Sequence, residues 1–215
     1  MNIDLLLKNI TINTPFYIIL IICLFLISSI KNKNFYITLF SFIFVTFIGY
    51  VVHIFSHIID FRILLNIKHN FIQNKYFKKY YNIFVSLIEL HSVTHHESKN
   101  NKSGINIAKE ACNNLLFQGV GLYLIALIIK KMDINIFILW AILYTTIHLI
   151  NYNLVPCKEH INHHKDPDTN YGIEIYDILF DTKNKNDESV ENYNHYSINL
   201  IILTIIYLIF SKFSR

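Results

Sequence analysis

The stretch FYITLFSFIFVTFIGYVVHIFSHII (residues 35–59) combines two patterns on which the fold depends. Its apolar residues continue for longer than the roughly 20 residues that a helix needs to cross a bilayer. Near its end stand His53 and His57, which are four residues apart and therefore lie on one face of a helix. The stretch predicts a membrane helix that presents two imidazoles at one end.

Four further apolar runs predict an all-α integral membrane protein, and 53% of the 215 residues are hydrophobic, which is high for a soluble domain. Short polar turns at Lys31–Asn34 and Lys130–Asp133 predict two antiparallel helical hairpins, or about four membrane helices, in a single membrane domain of residues 1–215. Several runs are short, which suits a thin membrane such as the endoplasmic reticulum. The further runs are Phe16–Ile30, Leu115–Ile129, Ile134–Ile150 and the C-terminal hydrophobic helix Ile198–Phe210.

The basic residues predict the orientation of the hairpins. With both turns on one side of the membrane, the polar segments Phe61–Asn114 and Asn151–Ser197 share the other side. That shared face carries thirteen Lys and Arg residues and the turns carry four, so the positive-inside rule makes the shared face cytosolic. We expect a cytosolic helical cap there, with an interfacial helix in NKYFKKYYNIF (74–84).

Nine of the eleven histidines fall in four groups at the hairpin ends or in the polar segments, so that they can meet on the shared face. Because imidazole is the commonest protein metal ligand, this crowding predicts a metal site in the cap. We expect His69 to be interfacial and His195 to lie on the surface. The predicted metal ligands are His53, His57, His91, His95, His96, His148, His160, His163 and His164.

The last group is the most tightly spaced. In EHINHHKDPDTNYG (159–172), the three histidines fit within an arc of roughly 100° on one face of a helix. Pro167 disfavours helical geometry at the residue before it, so the helix is expected to end there.

The number of histidines favours two metal ions. Nine ligands are too many for one ion but fit two ions with four or five imidazoles each. A membrane zinc hydrolase is an alternative, although the HExxH motif that often supplies its carboxylate base is absent from the sequence. A metal carrier is less favoured, because the apolar runs contain almost no polar residue beyond Gln118. The modest net charge of +4 and the scattered lysines predict no nucleic-acid partner.

These motifs resemble the fatty acid hydroxylase/sterol desaturase superfamily of membrane di-iron oxygenases. The three histidine boxes of that family are matched by HIFSH (53–57), HSVTHH (91–96) and HINHH (160–164). His148 falls where the family often has an isolated ligand histidine. The stretch NYGIEIYDILFDT (170–182) is similar to the family's ending of NYG, an aromatic-Asp pair and LFGT.

The resemblance, which covers roughly residues 40–182, implies a function. Such enzymes use two iron ions, here held by the nine histidines, and O₂ to hydroxylate or desaturate a fatty acyl chain, a sphingolipid or a sterol. The resemblance also implies an external electron donor, either cytochrome b5 with its reductase or a ferredoxin-type protein. Asp177 is the candidate for a hydrogen bond that orients a ligand histidine.

Three departures from the family pattern leave the reaction open. The middle box is HxxxHH where HxxHH is usual, so that His96 would point about 140° away from His91 on a regular helix. The gap between His57 and His91 is longer and closer to that of acyl desaturases, and Asp181 replaces the usual Gly of LFGT. An acyl or plasmalogen-type desaturase is therefore the nearest alternative to a hydroxylase.

Overall fold

The computed structural model describes residues 2–30, 32–59, 63–64, 74–88, 104–129, 131–155 and 157–213. Every regular element in those residues is a helix, which confirms the all-α class. The middle histidine box and His69 lie outside the described residues, so the predictions for them stay predictions. That box comprises His91, His95 and His96.

Short helical segments join some of the described helices. Two π-helical segments, Leu116–Gly121 and Ile147–Asn151, join α4 to α5 and α6 to α7, and a 3-10 turn, Tyr193–Tyr196, precedes α10. In chain order the helices are α1 (Ile3–Ile30), α2 (Phe35–Ile58), α3 (Lys75–Ile88), α4 (Gly104–Leu115), α5 (Leu122–Ile128), α6 (Ile134–Thr146), α7 (Tyr152–Leu154), α8 (Lys158–Lys165), α9 (Glu174–Phe180) and α10 (Ser197–Phe213).

Five helical stretches of the described chain are long and apolar enough to cross a membrane, one more than the number predicted. The additional stretch is Tyr193–Phe213, in which α10 packs against α1 and α6. These stretches make the chain an integral membrane protein. The other four are Ile3–Ile30, Phe35–Ile58, Ile107–Ile128 and Ile134–Asn151.

Helix α1 begins well before the apolar run predicted from Phe16. Its early polar residues Asn9 and Asn13 are fully buried. Their side chains donate hydrogen bonds to Glu174 Oε2 (2.7 Å) and to the carbonyl oxygen of Glu191 (2.9 Å), which offsets the cost of burying them. The apolar run therefore underestimates the length of α1, which contains 28 residues, whereas α2, with 24 residues, agrees with its run. The thin membrane predicted from the short runs stays a prediction.

An ion pair joins the two hairpin turns at the end of the bundle opposite the histidines. Lys33 donates to the carboxylate of Asp133, which also accepts from Thr38 Oγ1 at 3.2 Å and caps α6 through the backbone N–H of Asn135. The side chain of Asp133 is 1% exposed. This carboxylate fixes both turns at one end of the bundle, which confirms the predicted pairing of the hairpins.

A polar bridge crosses the apolar interior between α2 and α6. Gln118, in the first π-helical segment, donates from Nε2 to the carbonyl oxygen of Gly49 (3.1 Å) and accepts from Trp140 Nε1 (3.1 Å). Glycine at position 49 leaves room for this bridge, because a Cβ atom there would lie 2.4 Å from Gln118 Oε1 and 3.2 Å from Trp140 Nε1 and would displace the amide. Since Gly49 precedes His53 by about one helical turn, the bridge fixes the part of α2 that leads into the histidines.

Substituting Gly49 by alanine is expected to destabilise the fold, because the new methyl group displaces Gln118 and overpacks the interior. We expect the free energy of unfolding to fall by about 1–3 kcal/mol. Gly104→Ala is the matched control, since a Cβ at position 104 has no neighbour within 4 Å. The measurement is the thermal unfolding midpoint of helical circular dichroism in detergent. Equal midpoints for the two variants would contradict this role of Gly49.

Candidate metal centre

Three histidines from two helices meet at the end of the bundle where α2 finishes. His53 and His57 come from α2 and His163 comes from α8, and one ring nitrogen of each lies within 4.8 Å of the other two. The ring centroid of His163 is 4.9 Å from that of His53 and 4.8 Å from that of His57. His163 is 1% exposed. This first group can hold a metal ion.

A second group of three histidines lies beside the first. His160 and His164, one turn apart on α8, have ring centroids 4.6 Å apart, and His148 approaches His160 to 5.5 Å. His148 is buried and stands in the second π-helical segment, a feature often found at functional sites. The rings of His163 and His164 are 6.1 Å apart, so the two groups are neighbours.

All three histidines of the first group have the spacing of metal ligands, whereas in the second group the close nitrogens are those of His160 and His164. Two imidazole nitrogens that bind one ion at about 2.1 Å, at an angle of about 90–110°, lie about 3.0–3.4 Å apart. The Nε2 atoms of His53 and His57 are 3.2 Å apart, and those of His160 and His164 are 3.1 Å apart. Each i, i+4 pair therefore has the separation of two ligands on one cation.

The last histidine box contributes to both groups, with His163 in the first and His160 and His164 in the second. Residues one apart on a helix differ by about 100° in direction, so His163 and His164 cannot point to the same place. His163 turns toward α2, whereas His164 remains aligned with His160. The spacing of the three histidines sets their directions on α8. The positions of α2 and His148 determine which group each histidine joins.

In each group, a backbone carbonyl fixes which ring nitrogen of one histidine can bind a metal ion. His163 Nδ1 lies 2.6 Å from the carbonyl oxygen of Thr169, and His148 Nδ1 lies 3.2 Å from that of Tyr144. Because a carbonyl oxygen only accepts, Nδ1 carries the hydrogen in each case. In the neutral ring the lone pair is then on Nε2, as a metal ligand requires.

Asp177 acts on the loop after α8, and its predicted hydrogen bond to a ligand histidine stays a prediction. Its carboxylate accepts from the backbone N–H groups of Tyr171 (2.9 Å) and Gly172 (3.2 Å) and from Thr182 Oγ1 (2.7 Å). The ring of Tyr171 in turn packs against His57, with centroids 5.6 Å apart. Burial raises the pKa of Asp177 to about 7. Asp177 therefore positions the first group through Tyr171.

Asp181 lies in left-handed backbone at the end of α9. Asp181 ends α9 with φ of 62°, a conformation in which glycine is the most favourable residue and aspartate is tolerated. Thr182 directly after it accepts a hydrogen bond from the backbone N–H of Asn170 at 3.0 Å. Aspartate at position 181 is thus compatible with the turn that closes the loop beside the histidines.

A buried cluster of carboxylates connects α8 to α1 and α9. Glu174 binds Lys183 and accepts from the backbone N–H of Glu191 at 2.9 Å, and Lys183 also lies 4.0 Å from Glu159. Glu159 precedes His160 in α8, so the cluster holds the helix that supplies both groups. Sequence reasoning missed it, because charged residues in polar segments usually face solvent.

His195 is not a surface residue as predicted. It is half-buried, its ring packs on Tyr196 with centroids 4.1 Å apart, and its Nε2 atom is buried without a hydrogen-bond partner. Its backbone carbonyl accepts from Asn151 Nδ2 at 3.2 Å. His195 therefore contributes to the packing of the 3-10 turn.

Glu191 should make stability depend on pH. Burial raises its pKa from 4.5 to about 8, so the folded protein holds this proton more tightly than the unfolded chain does. Its contribution to stability is complete below pH 4.5 and is lost as the pH rises through about 8. We expect the unfolding midpoint of the wild type to fall more steeply from pH 5 to 8 than that of Glu191→Gln.

The control for this pH series is Glu188→Gln, which makes the same chemical change at an exposed position. The unfolding midpoint of this control should follow the wild-type curve. If the curve of Glu191→Gln also ran parallel to the wild type, the buried carboxyl group would not hold its proton as described.

Comparison with known proteins adds no identification: no family model, no curated protein and no solved structure matches the chain.

Proposed function

We propose that the chain is a membrane dimetal oxygenase of the fatty acid hydroxylase/sterol desaturase type, which hydroxylates or desaturates a lipid with two iron ions and O₂. The observation that carries this proposal is the division of six histidines into two adjacent groups. Two ions side by side suit the activation of O₂, and the absence of an HExxH motif from the sequence counts against the zinc hydrolase.

The first ion would be held by His53, His57 and His163. The second would be held by the group around His160, comprising His148, His160 and His164. The middle box remains the proposed source of further ligands. Iron bound by these histidines would react with O₂ and so provide an oxidant strong enough to break an unactivated C–H bond. The protein orients the imidazoles through its carbonyls and keeps water from the reacting carbon.

An apolar cavity supports a lipid as the substrate. It has a volume of about 250 Å³, and its lining is almost entirely apolar. The cavity is lined by His148 at the histidine end, and by Phe42 and Leu143 on α2 and α6 within the bundle. An acyl or sterol chain would gain free energy by leaving water for such a slot, at roughly 25 cal/mol per Å² of apolar surface buried.

The remaining parts of the proposal concern the partners and the membrane. Electrons would come from cytochrome b5 with its reductase, or from a ferredoxin-type donor, at the face that carries most of the lysines. By the positive-inside rule this face is cytosolic. We place the protein in an endoplasmic reticulum-type membrane.

Metal content distinguishes the histidine groups. Wild-type protein purified in detergent, after expression with added iron, should contain about two irons per chain, the count that two histidine groups require. His163→Ala should lose the first ion and His160→Ala the second, because each removes one of three described ligands. His195→Ala is the control and should keep both. One zinc per chain, unchanged in either group variant, would favour the zinc hydrolase.

Product mass tests the reaction itself. Reduced, iron-loaded protein is incubated with ¹⁸O₂ and membrane lipids, and the lipids are analysed by mass spectrometry. One added ¹⁸O atom would identify a hydroxylase, and the loss of two hydrogens would identify a desaturase. The His163→Ala/His164→Ala variant should form neither product. Lipid conversion that continues without O₂, or no conversion by iron-loaded wild type, would contradict the proposed function.

A further inference from the structure

We propose that Tyr152 donates one electron to the metal centre and passes its phenolic proton to Glu191. This inference rests on the proposed function, because it needs an oxidised centre beside the second histidine group. It assigns a redox task to two residues that line the apolar cavity and are not among the proposed metal ligands.

The ring of Tyr152 touches two of the histidines in the second group. It is stacked on His160, with centroids 4.1 Å apart and planes inclined by 23°, and it meets His148 edge-on at 5.0 Å. An electron that leaves Tyr152 therefore needs no intermediate group to reach the ligands of the second ion.

The hydroxyl group of Tyr152 is bonded to a buried base. It donates to Glu191 Oε1 at 3.3 Å, and Glu191 is 4% exposed. A phenol that loses an electron becomes strongly acidic, and an unpaired charge in such surroundings would be costly. Burial raises the pKa of Glu191 to about 8, so its ionised form is a stronger base than an exposed carboxylate.

The step balances in electrons, protons and charge. The O–H bond of Tyr152 breaks, the proton binds the carboxylate of Glu191, and one electron reduces the centre by one unit of charge. The products on the protein are a neutral phenoxyl radical and a neutral carboxylic acid. The oxidant is the centre after reaction with O₂, and Tyr152 supplies the electron when no lipid C–H bond is present, which spares the ligand histidines.

Tyr152 both contacts the second histidine group and donates a hydrogen bond to Glu191, and two neighbouring tyrosines each make only one of these contacts. Tyr144 stacks on His148 with the same centroid distance of 4.1 Å, but the hydroxyl groups that donate to Glu191 in the described part of the chain are those of Tyr152 and Tyr196. Tyr196 reaches the carboxylate but stands beyond Tyr152, with ring centroids 6.2 Å apart. Tyr144→Phe and Tyr196→Phe are therefore matched controls for Tyr152→Phe.

Electron paramagnetic resonance tests the proposal. The full-length, iron-loaded protein is reduced without lipid at a pH above the pKa of Glu191, mixed with O₂ and frozen. We expect an organic radical signal that narrows when the protein is made with ring-deuterated tyrosine. Tyr152→Phe and Glu191→Gln should lose the signal, while Tyr144→Phe and Tyr196→Phe keep it. Iron content and unfolding midpoint are measured on every sample, so that a folding defect is recognised.

The outcomes separate this inference from the proposed function. Wild-type protein that binds iron and oxidises lipid, but forms no tyrosine radical, would overturn the role of Tyr152 alone. An unchanged radical in Tyr152→Phe with normal iron content would do the same. Wild-type protein without bound iron would overturn both proposals together.

Discussion

The contact of His163 with His53 and His57 is the interaction on which the arrangement of the other elements depends. It brings a short helix of the cap, α8, against the end of a membrane helix, and it places an imidazole that is 1% exposed among two others. Buried imidazoles need partners, which nearby carbonyls and, in our proposal, metal ions provide. The buried carboxylate cluster holds α8 from the other side.

The ion pair between the two hairpin turns, at the end of the bundle opposite the histidines, also helps to position them. Because Lys33 and Asp133 join the two turns, α2 and α6 run in the same direction and finish at the same end. His57 and His148 therefore arrive together, although almost a hundred residues separate them. The apolar cavity between these helices then opens toward His148, which places apolar substrate space and polar ligands next to each other.

The sequence predicted what depends on local patterns. The two hairpins followed from apolar runs and short polar turns, and the end of α8 followed from Pro167, since that helix stops at Lys165. The paired Nε2 atoms of His53 and His57 followed from their i, i+4 spacing.

What it did not predict depends on partners distant in sequence. The length of α1 is set by Asn9 and Asn13, whose acceptors lie more than 160 residues away. The hydrogen bonds of Asp177 depend on the path of the following loop, and the burial of Glu191 depends on α1 and the 3-10 turn. Such contacts leave no periodic signal, and an isolated polar residue in an apolar run resembles an interruption.

The most direct test of the account is anomalous X-ray diffraction at the iron edge from crystals of the iron-loaded protein. We expect two iron peaks per chain, one enclosed by His53, His57 and His163, and the other by His148, His160 and His164. A single peak, or iron bound away from these two groups, would contradict it.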